Sequence, residues 1–332
     1  MNLMKKGYVI FILSIFILSI FQGCTDLEMD YRQEMRDFVS DISTYAKDKH
    51  PSFIIIPQNG IELTTTNGEP DGNLSTVYLQ SIDGVGQESL LYGHHEDNKA
   101  TPNPEQEWLH SFLDTVEEKG IEVLVTDYCW TQSYMDDSYN KNNQREYISF
   151  AADHRELDNI PAYPIKPYNE NENSINSLKD AKNFLYLIDP FSFPDKDSFI
   201  QSVSETNYDV VLIDFFYDEQ LTSSDVNILK TKANGASRLV ISYMSIGEAE
   251  DYRYYWQSEW NSNPPSWLDN EDPNWPGNYF VQYWNESWQN IIFGSDESYL
   301  DKIINTGFDG VYLDIIDAFE YFENKGLQLS NK

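Results

Sequence analysis

Eight short apolar runs are spread along the 332 residues, and most of them end in a polar or acidic residue. Segments with helical spacing lie between most of the runs, for example 105–118, where Trp108, Phe112 and Val116 share one face. Strands that alternate with helices predict a parallel sheet, and eight of them predict an α/β fold with a single (β/α)8 TIM barrel. The runs lie at 53–56, 82–88, 123–125, 184–188, 210–213, 239–247, 279–284 and 307–317.

The last of these runs ends in two carboxylates, Asp314 and Asp317. Barrels of this type hold their catalytic groups at the carboxyl ends of the strands, so Asp314 is the first candidate for a catalytic acid. An Asp at this position can also cap the next helix or form an ion pair in a loop. The other acidic candidates at strand ends are Glu88, Asp127, Asp214, Glu248 and Glu250.

The chain is strongly acidic, with a formal net charge of −33, and it is rich in aromatic residues at 15%. Such a charge repels nucleic acid, so we expect no nucleic-acid partner and favour a neutral or cationic ligand, although a solvated acidic surface is an alternative. Six of the eight Trp residues fall between Trp256 and Trp288. Flat indole rings suit sugar faces, which makes Trp284 the best candidate for a sugar platform, while several of the others will be core.

Motifs for cofactors and nucleophiles are missing from the sequence. Gly84-Val-Gly86 lacks the third glycine of a dinucleotide fingerprint, and there is no Walker loop and no Gly-x-Ser-x-Gly elbow. His94-His95-Glu96-Asp97 has no second ligand cluster at a metal-binding spacing, so we expect neither a metal nor a cofactor. Cys129 follows a predicted strand and is expected to be a buried, unreactive thiol.

The first 23 residues have the pattern of an export signal, with Lys5 and Lys6 ahead of an apolar stretch that is too short for a membrane span. The signal ends in Gly23-Cys24, which resembles a bacterial lipobox, so Cys24 would carry the lipid anchor of an exported lipoprotein in the cell envelope, at the outer membrane or cell surface. A plain secretory signal with an incidental Cys is the alternative. We expect a monomer.

Several sequence blocks resemble the signature blocks of the endo-α-1,4-polygalactosaminidase-like glycoside hydrolases, glycoside hydrolase family 114, a (β/α)8 family. They span nearly the whole chain after the signal. The blocks are Ile56-Pro-Gln-Asn-Gly60, Ile82-Asp-Gly-Val-Gly-Gln-Glu-Ser89, Ser242-Tyr-Met-Ser-Ile-Gly-Glu-Ala-Glu-Asp-Tyr-Arg253, Asn274-Trp-Pro-Gly-Asn-Tyr279 and Gly307-Phe-Asp-Gly-Val-Tyr-Leu-Asp-Ile-Ile-Asp317.

The resemblance implies a glycosidase that cleaves α-linked galactosamine-type or related polysaccharides with a pair of carboxylates. It makes Asp314 the nucleophile and Glu88 the general acid/base of a retaining mechanism, although the two roles could be reversed. Arg253 is expected to pair with an acidic residue at a strand end more readily than to bind substrate. The residues that would line the cleft and bind substrate are Gln58, Asn59, Asp127, Tyr128, Asp214, Tyr243, Glu248, Arg253, Trp284 and Asp317.

The order of the blocks differs from the family, where the Ser-Ile-Gly-Glu and Tyr-Leu-Asp blocks come first. This order predicts a circular permutant in which family strands 6–8 precede strands 1–5. The corresponding domain plan is a signal at 1–23, a tether at 24–30, the first part of the barrel at 31–158, a polar linker at 159–183 and the second part at 184–325. A helix over 31–49, with Met35, Phe38, Val39 and Ile42 on one face, would continue the path of the chain that ends near 321–325.

Two other functions stay open at this point. A non-catalytic carbohydrate-binding envelope lipoprotein would use the same cleft without cleaving its ligand. A purely structural envelope protein would have no use for carboxylates at strand ends.

Overall fold

The computed structural model describes residues 29–330, and its compact unit begins at Tyr31. The predicted signal and Cys24 lie outside the described residues. Among the residues that are described, no helix is both long and apolar enough to cross a membrane.

The described residues form thirteen strands and nine α-helices. The strands are β1 (Ile54–Pro57), β2 (Gly84–Glu88), β3 (Glu122–Tyr128), β4 (Ile148–Ala152), β5 (Phe184–Leu187), β6 (Val210–Ile213), β7 (Phe216–Tyr217), β8 (Glu219–Gln220), β9 (Leu239–Ser245), β10 (Glu248–Glu250), β11 (Leu268–Glu271), β12 (Asn278–Val281) and β13 (Gly310–Asp314). The helices are α1 (Tyr31–Lys49), α2 (Thr76–Ser81), α3 (Asn103–Glu117), α4 (Gln132–Gln144), α5 (Lys196–Ser204), α6 (Ser223–Leu229), α7 (Glu286–Ile292), α8 (Tyr299–Thr306) and α9 (Ala318–Ser330).

The larger sheet has five parallel strands in the order β1-β13-β9-β6-β5. The apolar runs that form it are buried throughout β1, β5, β6 and β9, as expected for parallel strands covered on both faces. Ile55 pairs with Val311, so the predicted pairing of these two strands, which are far apart in the sequence, is confirmed.

A second parallel sheet has the order β2-β3-β4 and meets the first sheet beside β1. Gln58, just after β1, forms a parallel bridge with Gly86 in β2. The Asn59 amide donates to the Gly86 carbonyl over 2.8 Å, and the Asp83 amide donates to the Ile55 carbonyl over 2.9 Å. The protein is therefore an α/β protein with eight parallel strands in two linked sheets.

The prediction of a barrel strand is wrong for one of the eight runs. The run at 279–284 overlaps β12, which pairs antiparallel with β10 and β11 in a separate three-stranded sheet. Three of the four residues of β12 are only partly buried, because this small sheet does not lie in the core. The parallel strand missed is β4, Ile148-Ser-Phe-Ala-Ala152, which is fully buried although Ser and Ala give it a weak apolar signal. Four parallel strands therefore precede the polar segment at 159–183 and four follow it, in place of three and five.

The predicted helix over 31–49 is confirmed as α1, and Met35, Phe38, Val39 and Ile42 are completely buried. The helix packs against α2 and α9. The polar segment 159–183 has little regular structure, but Lys232 fixes it to the sheet. The Lys232 ammonium is fully buried against Asp209 and donates to the carbonyl of Asn173 over 2.9 Å.

Candidate active site

Glu88 and Asp314 end β2 and β13, and β1 runs between these two strands. The chain direction is the same in all three strands, so both carboxyls lie at the carboxyl edge of the sheets. The two groups influence each other, because the negative charge of Glu88 is one cause of the raised pKa of Asp314. The two predicted catalytic residues are thus brought together by strands from opposite ends of the chain.

Asp314 is held by two donors. The Tyr243 hydroxyl donates to one carboxylate oxygen over 2.7 Å, and the backbone amide of Ile315 donates to the other over 2.8 Å. Burial raises the pKa of Asp314 to about 7, with the nearby Glu88 carboxylate as the next cause. A carboxyl group that holds its proton up to neutral pH can take part in acid–base chemistry.

Glu88 is held by Asn59 and Tyr128. The Asn59 amide group donates to the Glu88 carboxylate over 3.1 Å, and its oxygen accepts from the Glu88 backbone amide over 3.1 Å. The Tyr128 hydroxyl donates to the second carboxylate oxygen. Arg155 comes from the loop after β4. The central carbon of its guanidinium lies 3.8 Å from the centre of the Tyr128 ring, so Arg155 packs on that ring and helps to fix it.

Three residues with left-handed backbone conformations follow the site side chains directly. They are Asn59 after Gln58, Ser89 after Glu88 and Ile315 after Asp314, with φ values of 59°, 56° and 57°. This conformation is unfavourable for a residue with a Cβ atom, most of all for a β-branched residue such as Ile, and such strain is common at functional sites. The close approach of the Ile315 carbonyl also explains Gly247, because a Cβ atom there would overlap it.

Buried tyrosines line the core beside the pair. Tyr312 is completely buried, and its hydroxyl occupies the space that a Cβ atom on Gly86 would fill. The Tyr186 hydroxyl donates to the Gln58 side chain over 2.9 Å. The charges of Glu88 and Asp314 act on both phenols, and burial raises the pKa of each well above its usual value, so both stay protonated. The sequence predictions missed Tyr186 and Tyr312, because a Tyr within an apolar run is typical of core.

Asp317 lies close to the pair as well. Burial raises its pKa to about 8, with the charge of Asp314 as the next cause. At neutral pH the Asp317 carboxyl is therefore protonated, and it adds a potential donor near Asp314 without adding a second negative charge.

A buried ion pair lies on the Asp314 side of the site. The Arg253 guanidinium donates to both oxygens of Asp214 over 2.8 Å and to Glu250 over 2.7 Å. The expected pairing of Arg253 with a strand-end acid is thus confirmed. Because two carboxylates share one cation, the cluster leaves an excess negative charge, and Glu250 contributes to the raised pKa of Asp314.

Other predicted site residues lie in the protein interior. Asp127 is completely buried and accepts hydrogen bonds from the Leu91 and Tyr92 amides and from Ser138, so it holds the loop after β2. Glu248 is completely buried in β10, where burial and then the charge of Asp272 raise its pKa to about 8. Neither side chain is exposed for contact with a substrate.

Trp284 and Cys129 also have packing roles. The Trp284 ring packs against Tyr31 of α1 and Phe322 of α9, so it stabilises the contact between helices. Cys129 is buried and unpaired, and burial raises the pKa of its thiol, as expected for an unreactive residue. Within residues 29–330, no cluster of three or more His, Cys, Asp or Glu side chains could hold a metal ion.

Comparisons with known proteins support a hydrolase. Residues 170–332 match the model of glycoside-hydrolase family GH114. The chain is 43% identical over 157 residues to the uncharacterized protein MJ1477 of Methanocaldococcus jannaschii, a match that covers 47% of this chain and 43% of that protein. An uncharacterized protein of Thermotoga maritima is 41% identical over 129 residues, which is 38% of each chain.

A third uncharacterized protein, from Deinococcus radiodurans, is 40% identical over 126 residues, or 38% of this chain and 39% of its own length. The matches therefore span about two fifths of the length of these relatives. The family match contains Asp314 and the parallel strands β5, β6, β9 and β13. Over residues 170–332, this chain is therefore similar to the glycoside hydrolases of family GH114.

Proposed function

We propose that the protein hydrolyses glycosidic bonds with Asp314 and Glu88 as its catalytic pair. The observation that carries this proposal is the meeting of two electrostatically coupled carboxyls at the carboxyl ends of β13 and β2. A pair of carboxyl groups on either side of a glycosidic bond is sufficient for its hydrolysis. The rest of the site serves to hold these two groups: Asn59 and Tyr128 fix Glu88, and Tyr243 fixes Asp314.

The mechanism assigned to the pair is a double displacement. Asp314, whose pKa is raised to about 7, gives its proton to the glycosidic oxygen while the Glu88 carboxylate attacks the anomeric carbon, which breaks the bond and forms a glycosyl ester. These roles are the reverse of those first expected, an exchange that the resemblance left open. Asp314 then takes a proton from water, and the hydroxide attacks the anomeric carbon to release Glu88. This course retains the anomeric configuration. Proton NMR of the first product checks it, since the opposite anomer would require water to attack directly.

The substrate class that fits best is an α-linked galactosamine-type polysaccharide. The net charge of −33 and the excess negative charge of the Asp214–Arg253–Glu250 cluster favour a cationic amino sugar over an anionic one. Reducing ends released from partly deacetylated galactosamine polymers, measured beside neutral and anionic glycans, test this choice. Faster cleavage of an anionic polymer would contradict it.

The fold proposed for the whole chain is a closed, circularly permuted (β/α)8 barrel. The parallel pairing of β1 with β13 and the hydrogen bonds between β1 and β2 support it, as does a family match confined to residues 170–332. In the permuted order, the four strands before the linker follow the four strands after it. A crystal structure that shows an open gap between β4 and β5 would contradict closure.

The proposed location is the cell envelope, with a lipid anchor at Cys24. The support is the apolar stretch followed by Gly23-Cys24. Metabolic labelling with a radioactive fatty acid tests it, because Cys24→Ser should lose the label. Labelling that persists in this variant would show that the residue is not the lipid attachment site. A carbohydrate-binding lipoprotein without hydrolytic activity is the second candidate, and it predicts glycan binding with no release of reducing ends.

A further inference from the structure

Three aromatic side chains near the site are unusually exposed for their size. The exposed fractions are 54% for Trp130, 63% for Tyr252 and 53% for Trp275. A single exposed aromatic residue is common on protein surfaces. What distinguishes these three is that hydrogen bonds fix their backbones and that their segments come after the strands on either side of the carboxyl pair in the chain.

Trp130 stands on a rigid support next to Glu88. It comes two residues after Tyr128, whose hydroxyl donates to Glu88. The side-chain oxygen of Asn98 accepts from the Trp130 amide over 3.1 Å and from the Thr131 amide over 2.9 Å, while the Asn98 amide donates to the Tyr128 carbonyl over 2.8 Å. These bonds hold the backbone on both sides of an indole that is left half-exposed.

Trp275 is the first residue of a tight turn. The Asn278 amide donates to the Trp275 carbonyl over 3.0 Å, Pro276 sets the second position and Gly277, with φ of 93°, takes the third. This arrangement is a type II turn, in which Pro and Gly favour one conformation. The Gly277 carbonyl accepts from the Asp251 amide over 2.8 Å, which joins the turn to the segment that carries Tyr252.

Tyr252 is tied to the Asp314 side of the site. Its hydroxyl donates to Glu250 over 2.7 Å, and Glu250 is close enough for its charge to raise the pKa of Asp314. Although the hydroxyl is engaged, the residue is largely exposed. Tyr252 and Trp275 therefore stand on two hydrogen-bonded segments, and we call these two residues the aromatic rim.

The strand order places these aromatics on opposite sides of the pair. The sequence of neighbours is β3-β2-β1-β13-β9, in which β2 carries Glu88 and β13 carries Asp314. Trp130 follows β3, on the outer side of β2. Tyr252 follows β10, the short strand that comes directly after β9, and Trp275 lies in the turn between β11 and β12, in the small sheet that contains β10. In strand order, both carboxyls therefore lie between Trp130 and the segments that carry Tyr252 and Trp275.

We infer that Trp130 on one side, and Tyr252 with Trp275 on the other, are sugar-binding platforms that hold a polysaccharide chain across the catalytic pair. The inference rests on the proposed function and adds binding sites to it. Sugar rings present apolar C–H faces that stack on indole and phenol rings, and a ring already fixed by its backbone loses little entropy on binding. With sugars bound on both sides of the cleaved bond, the protein needs several sugar units for full affinity.

The test compares Trp130→Ala and Trp275→Ala with Ile228→Ala, which removes a side chain of similar exposure from helix α6. Each Trp variant should lower the ratio of kcat/KM on long to short galactosamine oligosaccharides by at least about fivefold, while the control leaves the ratio unchanged. If the Trp residues had only a structural role, kcat/KM would fall equally on long and on short oligosaccharides, and the ratio would not change. A ratio that is unchanged in both Trp variants would overturn the inference.

A binding measurement separates this inference from the proposed function. The Asp314→Asn protein should be retarded in gels that contain partly deacetylated galactosamine polymer, and adding either Trp substitution should weaken the retardation. Retardation that is insensitive to both Trp substitutions overturns the platforms and leaves hydrolysis standing. Retardation without cleavage by the wild-type protein overturns hydrolysis and leaves the platforms standing. A protein that neither binds nor cleaves any polymer of the panel overturns both.

Discussion

Asp314 is the residue of the pair whose protonation changes near neutral pH, because burial and then the charge of Glu88 raise its pKa to about 7. Below that pH its carboxyl holds a proton that can be given to the leaving oxygen. Above it the proton is lost. The active form of the pair is therefore the one with a proton on Asp314.

This raised pKa predicts the alkaline side of the pH profile. We expect kcat/KM to fall as the pH rises above about 7, because the Asp314 carboxyl loses its proton there. The Tyr243 hydroxyl stabilises the charged form of Asp314, so Tyr243→Phe should raise the pKa and move this fall to higher pH by up to about one unit. Tyr147→Phe, whose hydroxyl bonds Asp114 instead, is the matched control. A fall that moves to lower pH in Tyr243→Phe would contradict this account.

The sequence located the carboxyl pair better than it located the residues around the pair. Glu88 and Asp314 could be found because each ends an apolar run in a recognisable block. Tyr186 and Tyr312 could not, because burial of a Tyr in a strand says nothing of which way its hydroxyl points. Asp127 and Glu248 were expected in the cleft because they follow strands, but both are completely buried. A strand end places the backbone, while the side chain can still turn inward.

At the scale of elements, the errors of the sequence predictions follow from burial. The missed strand β4 contains Ser149 and two Ala residues, and its burial comes from the elements packed on both sides of it. The run at 279–284 is more apolar and more aromatic, yet β12 pairs antiparallel outside the parallel sheets. Apolar content therefore identified seven of the eight parallel strands. For the eighth it selected the run at 279–284 in place of β4, since a local pattern does not show which strands pair.

The segment at 159–183 should depend on one buried ion pair. Lys232→Met leaves the Asp209 carboxylate buried without its cation, so we expect a loss of about 3–5 kcal/mol in the free energy of unfolding. Lys166→Met, which breaks the exposed pair with Glu170, should have a much smaller effect, because water screens an exposed ion pair. Urea denaturation of both variants measures the difference. Equal losses would show that Lys232 does not anchor the segment.

At the scale of the whole molecule, several buried carboxyls make stability depend on pH. The pKa values of Glu248 and Asp317 are raised to about 8, and burial is the largest cause for both. Because these pKa values lie above those of the unfolded chain, the folded state binds protons more tightly between about pH 4.5 and 8. The free energy of unfolding should therefore decrease as the pH rises through this window.

We accordingly expect a lower Tm at pH 8.5 than at pH 5. Each such carboxyl contributes a slope of up to about 1.4 kcal/mol per pH unit in the free energy of unfolding. Glu248→Gln removes one titrating group while keeping the side-chain volume, so the slope should be smaller in this variant. Glu107→Gln, at an exposed position of α3, should leave the slope as it is. Calorimetry across the pH range measures these slopes. Identical slopes in the wild type, Glu248→Gln and Glu107→Gln would contradict the argument that burial raises the pKa of Glu248.

The claim that Asp314 and Glu88 cleave glycosidic bonds is tested most directly by the rate at which reducing ends are released. The measurement compares the wild-type protein with Asp314→Asn and Glu88→Gln on the polymer that the wild type cleaves fastest. Both substitutions keep the side-chain volume and remove the nucleophile or the transferable proton. We predict a fall in kcat of at least about 100-fold in each variant, with little change in Tm. Wild-type rates in both variants would contradict the assignment of this pair.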